Sequence, residues 1–259
     1  MVAEIVSFIK RDYIKSMAEK GIRLDGRAMD EQRPLEVLKP YVGSAEGSAR
    51  VKLGKTDVIV GVKIEPGSPF GDRPNLGVLI STAEMTVIAS PDFETGPPRP
   101  PAIELARVTD RGIRESQTID LAPLCITEGE KVWMVFIDIH PIDYHGNLFD
   151  ACQYGAMAAL STAHVPWSKI DEDRKDEPLP VMHQPVGLTA VKIGSKVLID
   201  PSLDEDEVAD ARLTVVTDEN GDVRAMQKGL NGSFTIDEVK YVVKLSETLG
   251  NKIRPKLMG

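Results

Sequence analysis

The stretch from Lys131 to His140 constrains the fold most. Trp133, Val135, Ile137 and Ile139 alternate with Val132, Met134 and Phe136, so an extended chain here is apolar on both faces. Such a strand needs neighbours at both edges and cover on both faces, which predicts a central, buried strand. The chain can supply that cover, since it has 259 residues, 42% of them hydrophobic, enough for one or two domains. No apolar run is long enough for a bilayer, so no membrane partner is expected. Glu4 and Ser7 interrupt the apolar residues at the start, which argues against an export signal. Cys125 and Cys152 are too few for a disulfide framework or a four-cysteine zinc site, which fits a reducing, cytoplasmic interior. With a formal charge of −9, wholesale coating of nucleic acid is excluded, because non-specific affinity comes from Lys and Arg neutralising phosphates. A nucleic-acid site in this chain has to be local.

Around that strand the rest of the chain reads as an α+β protein in two halves. Val2, Ile5, Val6, Ile9, Tyr13 and Met17 form one helical stripe, with Gly21 at the left-handed terminus. Ser48 to Leu53 and Asp57 to Ile64 form a hairpin turned at Gly54-Lys55-Thr56, and Gly77 to Thr82 extends its sheet. A loop with Pro91, Pro97, Pro98, Pro100 and Pro101 leads into a helix over Ala102 to Ser116. Tyr144-His145-Gly146-Asn147 turns the chain into a small-residue helix, Leu148 to Ala163. Ser168 to Glu177 carries a dense run of charge and reads as a solvated connection. Beyond it, Gly187 to Ile193 and Lys196 to Asp200 pair, as do Arg212 to Thr217 and Asp222 to Lys228 across Asn220-Gly221. Thr235-Ile-Asp-Glu238 is a capping box for a helix over Ile236 to Leu249. Both halves are thus expected to be antiparallel sheet plus helices. The divisions are residues 1–30 as an N-terminal helix and extension, 31–167, a linker over 168–186, and 187–259.

Two charge patterns could carry chemistry. On the helix after the prolines, Arg107, Arg111 and Arg114 fall within about a 60° arc, opposite Leu105, Val108, Gly112, Ser116 and Ile119. In an acidic chain such a cluster is costly unless an anion neutralises it, and phosphate suits the guanidinium fork. The alternative is a solvated face with ordinary pairs such as Asp110 with Arg114. The run Asp200, Asp204, Glu205, Asp206, Glu207, Asp210 could hold Mg²⁺, or it is an acidic surface loop between strands. His140, Asp143 and His145 lack metal-ligand geometry and read as structural. Phosphate-binding, dinucleotide-binding and hydrolase-elbow glycine motifs are absent from the sequence.

Taken in order, Arg23-Leu-Asp-Gly-Arg27, Gly47-Ser-Ala49, Glu104 to Ser116, the segment 131–166, and Val197-Leu-Ile-Asp-Pro-Ser through Gly229 resemble the ribonuclease PH family. The resemblance covers roughly residues 20 to 250. Leu35-Glu-Val and Val208-Ala-Asp-Ala-Arg-Leu-Thr214 are similar to its non-catalytic archaeal exosome branch. It implies two ribonuclease-PH-type subdomains, of the ribosomal protein S5 domain 2-like kind, over 31–167 and 187–259.

Active members of that family hold the attacking phosphate with a Gly-Gly-Ser/Thr-Arg turn, where this chain has Gly146-Asn147-Leu148-Phe149. Their two aspartates six residues apart fall on Asp206 and Arg212. The resemblance therefore implies no catalytic residue and no metal site here, with Arg107, Arg111 and Arg114 contacting RNA phosphates. It further implies a catalytic ribonuclease-PH-type partner in heterodimers arranged as a trimer of dimers, RNA-binding cap proteins, and single-stranded RNA. Inorganic phosphate and Mg²⁺ belong to the partner's active site, and no cofactor to this chain. With 5% aromatic residues, few are available for base stacking, and sequence specificity is not expected. Two readings compete: a self-sufficient phosphorolytic exoribonuclease using Asp206, and an architectural subunit whose arginines pair with partner acids.

Overall fold

The computed structural model describes residues 2–94 and 96–259, with side chains from residue 10 onward. The first sheet is built from β1 (Leu35–Leu38), β2 (Gly47–Leu53), β3 (Thr56–Gly67), β4 (Val78–Ala83), β5 (Cys125–Thr127) and β6 (Lys131–Asp143), in the order β1-β2-β3-β6-β4 with β5 also on β6. β6 is central, as its apolar pattern demands. It runs antiparallel to β3 but parallel to β4, so this half is a mixed sheet and not the purely antiparallel one expected. Trp133, Val135, Ile137 and Ile139 are fully buried, whereas Met134 and Phe136 are half-buried. Burial on both faces therefore fails for one face, where the pairing register sets Phe136 opposite Lys63 and Thr82 opposite Asp138.

The second sheet is antiparallel throughout, and here the expected hairpins form. β9 (Val186–Ile193), β10 (Lys196–Ile199), β11 (Ala211–Thr217) and β12 (Val223–Gly229) take the order β10-β9-β11-β12. Between the sheets runs α3 (Leu148–Leu160), buried at every position and packed on β2, β3 and β9. Its approach depends on glycine. A Cβ on Gly155 would lie 2.6 Å from Val60 Cγ2, and one on Gly47 only 2.5 Å from the Ala159 carbonyl oxygen. α3 ends at Leu160 and not Ala163, because the chain turns there into β7 (His164–Val165), which pairs with β8 (Glu177–Pro178).

Two further differences, the length of the last helix and the end of the linker, follow from tertiary contacts. The capping box forms, with Thr235 Oγ1 accepting from Glu238 N at 3.2 Å and Glu238 Oε2 from Thr235 N at 2.7 Å. The helix it opens, α5 (Ile236–Met258), continues well past Leu249, since Ile253 and Leu257 bury in the core that contains α3. Ser168 to Glu177 is exposed apart from half-buried Ile170, as expected, but the rest of the linker is not: Leu179 is buried, Val181 bridges to Ile119, and Val186 already belongs to β9.

The N-terminal helix, α1 (Val2–Glu19), buries Ile14 and Ala18 against Val191, Ile193, Leu198 and Val208, so it covers the second sheet. Tyr13, expected on its buried stripe, is 56% exposed. The side chains of Val2, Ile5, Val6 and Ile9 lie outside the described residues. Gly21 takes the left-handed φ of +74° that ends the helix. Among the described residues, no helix is long and apolar enough to cross a membrane.

Candidate nucleic-acid interface

The arginine-bearing helix, α2 (Pro100–Glu115), starts on two prolines suited to a first turn whose N–H groups need no partner. Leu105, Val108, Gly112 and Ile113 bury one face, and Ser116, just past the end, is buried on the same side. Ile119 is buried too but lies beyond the helix. Arg107, Arg111 and Arg114 are exposed together on the opposite face, as their spacing predicts. Their surroundings differ. Arg114 forks onto Asp110, Nε to Oδ2 at 2.9 Å and Nη2 to Oδ1 at 2.8 Å, and also donates to the Leu79 carbonyl. The Asp110 hydrogen bonds raise its already high pKa. Arg111 donates to Gln227 Oε1 on β12 at 2.6 Å. Arg107 makes no hydrogen bond or ion pair among the described residues, which leaves its guanidinium wholly available to an outside anion.

The turn before α3 is arranged quite differently from a phosphate cradle. Gly146 and Asn147 adopt φ of +90° and +50°. Asn147 Nδ2 donates at 2.8 Å to both Asp150 Oδ2 and Asp200 Oδ1, so the amide faces inward. Leu148 and Phe149 are buried. The Arg212 guanidinium lies 4.0 Å from the Phe149 ring centre, and its Nη2 is 2.6 Å from Glu104 Oε1. Asp206, Tyr144, Glu104, Phe149 and Arg212 line one pocket of about 170 Å³. Tyr144 Oη donates to Asp206 Oδ2 at 3.1 Å. Burial raises the Asp206 pKa, with the Arg212 charge opposing it, and raises that of Tyr144 with help from Asp206. An incoming phosphate would meet an aromatic ring and two carboxyl groups, and the pocket's guanidinium is already paired with Glu104.

The acidic run is not a surface loop. Asp204 to Glu207 lie on a short helix, α4 (Leu203–Val208), headed by a Ser202–Glu205 capping box. Asp200 is fully buried. Its carboxylate accepts from Arg33 at 2.7 and 2.9 Å, from Arg27 at 3.0 Å and from Asn147. Burial alone would raise its pKa, but the hydrogen bonds and charge of Arg33 prevail and hold it below the usual value. Glu205 forks onto the buried Arg23, at 2.6 and 2.9 Å. Asp204 and Glu207 face Lys10, and Asp210 faces Lys15. These oxygens face cations of the N-terminal segment, while Asp206 faces Tyr144. The same contacts explain Arg23-Leu-Asp-Gly-Arg27: Arg23 ties that segment to Glu205 of α4, and Arg27 ties it to Asp200 just before α4.

His140 faces Glu84 at 3.7 Å and His145 faces Asp143 at 3.4 Å. His183, Asp218 and Glu219, which the sequence gave no reason to group, come within metal-binding reach of one another. Asp218, however, already accepts from two backbone amides and from Arg224. Glu104, Gln227 and Arg33 also escaped sequence reasoning, because their partners lie 108, 116 and 167 residues away.

The sequence pattern of the 3′ exoribonuclease family (RNase PH), domain 1, matches residues 31–166, and that of domain 2 matches residues 183–248. The chain is 51% identical to an exosome complex component Rrp42 of Methanocella arvoryzae, over 100% of this chain and 99% of that one. A chain of an Archaeoglobus fulgidus exosome solved with RNA bound to the active site superposes with a TM-score of 0.93, at 46% identity over 97% of this chain and 99% of that one. A chain of an archaeal exosome core superposes at 0.91 with 43% identity, covering 100% of both.

Proposed function

The chain belongs to the 3′ exoribonuclease family of RNase PH proteins, and on that premise we propose that it is a non-catalytic subunit of an archaeal exosome core ring. It structures the ring and positions single-stranded RNA for phosphorolytic 3′ to 5′ degradation by a paired catalytic subunit of the same family. The two pair as heterodimers, three of which close the ring in the cytoplasm, with RNA-binding cap proteins delivering substrate. Inorganic phosphate and Mg²⁺ act at the partner's active site.

The observation that carries the reading is the Phe149–Arg212–Glu104 stack. Phosphorolysis requires inorganic phosphate held in line with the scissile phosphodiester, with cations offsetting charge in the transition state. Here Phe149 stands where the resemblance puts the phosphate-holding Arg, and the guanidinium of Arg212 over its ring is neutralised by Glu104 at 2.6 Å. Asp206 is left without a second acid, since Arg212 stands where the other would be. What this chain offers RNA is the face of α2: three guanidinium groups contact backbone phosphates and fix the strand in register.

The test is phosphate-dependent release of nucleoside diphosphates. The purified chain alone is expected to release none, and the assembled complex to release them at a rate that Arg107→Ala/Arg111→Ala/Arg114→Ala lowers through weaker RNA binding. Turnover by the chain alone that Asp206→Asn abolishes would establish the self-sufficient enzyme. RNA affinity of the complex unchanged by the triple replacement would establish the purely architectural subunit.

A further inference from the structure

Beside the arginine face is a second concavity with different chemistry. Loop residues 84–94 and 96–99 and the first turn of α2 enclose about 410 Å³, within the range of small-ligand sites. Its walls are apolar, formed by Met85, Phe93, Pro98 and Pro101, and Glu84 and Asp92 stand exposed in its lining. Phe93 is a fixed wall, because it stacks on Tyr144 with ring centres 5.4 Å apart and planes at 27°. Glu94, also in the lining, is paired with Arg99. Asp92 makes no side-chain hydrogen bond or ion pair among the described residues, and Glu84 has only His140 nearby, at 3.7 Å.

The cavity continues the arginine face. Six residues of helix separate Pro101 from Arg107, about 9 Å along the axis. Ile103, 45% exposed, lies one turn before Arg107 on the same side. A strand crossing Arg114, Arg111 and Arg107 therefore arrives next at the mouth of this cavity. The carboxylates repel a phosphate there, so the backbone stays outside. A base is another matter. Its flat face packs on apolar and aromatic walls, and its exocyclic amino group donates to a carboxylate, as N4 of cytosine does to Glu or Asp.

We propose that this cavity receives one nucleobase of the strand held by α2, and that it favours the amino-bearing bases adenine and cytosine over uracil. Uracil has no exocyclic amino group; its one ring donor on that edge, N3–H, lies between two carbonyl oxygens that the carboxylates of Glu84 and Asp92 repel. The inference rests on the RNA-positioning reading above and adds to it a base preference that phosphate contacts alone cannot give.

The experiment is equilibrium binding of fluorescent oligo(A), oligo(C) and oligo(U) to the assembled complex at one salt concentration. Wild type should bind oligo(A) and oligo(C) several-fold more tightly than oligo(U). Glu84→Ala/Asp92→Ala should remove that difference while leaving oligo(U) affinity unchanged or higher. Phe93→Leu, which keeps apolar packing on Tyr144, should weaken all three about tenfold, as loss of a base stack does, with the melting temperature unchanged. If neither variant alters binding while Arg107→Ala still weakens it, the inference falls and the positioning reading stands. If Arg107→Ala, Arg111→Ala and Arg114→Ala together also change nothing, the underlying reading falls with it. If Glu84→Ala/Asp92→Ala prevents assembly with the catalytic partner on size exclusion, the cavity holds polypeptide and the inference is overturned.

Discussion

Asp150 is a carboxyl group buried in the first turn of α3 with no cation against it. Asn147 donates to Oδ2, while Oδ1 has no hydrogen-bond partner. Burial pushes its pKa from 3.8 up to about 7, against the opposing hydrogen bond from Asn147. The folded chain therefore keeps a proton that the unfolded chain releases above its lower pKa. Stability contributed by this group falls as pH rises from about 4 to about 7 and is flat above that. Asp150→Asn removes the penalty. Chemical denaturation should show the variant a few kcal/mol more stable relative to wild type at pH 8 than at pH 4. A difference between the two proteins that does not change with pH would contradict this. Asp200, only one amide away, behaves oppositely because Arg33 and Arg27 face it. Its pKa is lowered, so its contribution is retained above the usual carboxylate range and lost in acid.

At the scale of elements, the three arginines of α2 share a face but are not equivalent. Arg114 is already forked onto Asp110, and Arg111 is tethered to Gln227. A phosphate must displace those partners, whereas at Arg107 it displaces only water. In single-site comparisons of RNA affinity, Arg107→Ala is expected to cost the most and Arg114→Ala the least; equal losses would contradict the assignment of their partners. α3 makes a separate prediction. Gly155→Ala sets a methyl 2.6 Å from Val60 Cγ2, in a helix confined by a sheet on each side. Overpacking of this kind costs about 1–3 kcal/mol, read as a lower denaturation midpoint with the slope unchanged. Ala156→Gly, at a neighbouring buried position, costs less, about 1 kcal/mol, because it creates no clash.

Taken whole, the molecule joins its halves through α3, through α5 reaching back to the first core, and through Arg33. That side chain donates to Asp200 and Pro201 from the second half and to the carbonyls of His145 and Gly146 in the first. If the arginines of α2 contact RNA, the RNA affinity of the assembled complex should depend on salt in proportion to the phosphates neutralised. Replacing all three arginines of α2 is expected to reduce the slope of log K against log salt by about 2, at roughly 0.7 per single-strand phosphate contact. An unchanged slope would place the phosphate contacts elsewhere in the ring.

The alternation in β6, the Gly54-Lys55 and Asn220-Gly221 turns, the 235–238 capping box and the arginine spacing on α2 were all legible in the sequence. Each is a local pattern, and local sterics, hydrogen bonding and helical periodicity are enough to specify it. The parallel placement of β4, the exposure of Tyr13, the length of α5 and the fate of the acidic run were not. Those depend on which surfaces meet across more than a hundred residues. Asp200 and Glu205 read as solvated acids until Arg23, Arg27 and Arg33 arrive from the other end of the chain. That Asn147, Leu148 and Phe149 stand where the resemblance puts Gly-Ser/Thr-Arg is a comparison made residue by residue in the sequence. That Glu104 closes the Arg212 guanidinium over Phe149 was decided only by packing α2 against β11 and β12, because a charge's availability depends on what stands within about 4 Å of it in space.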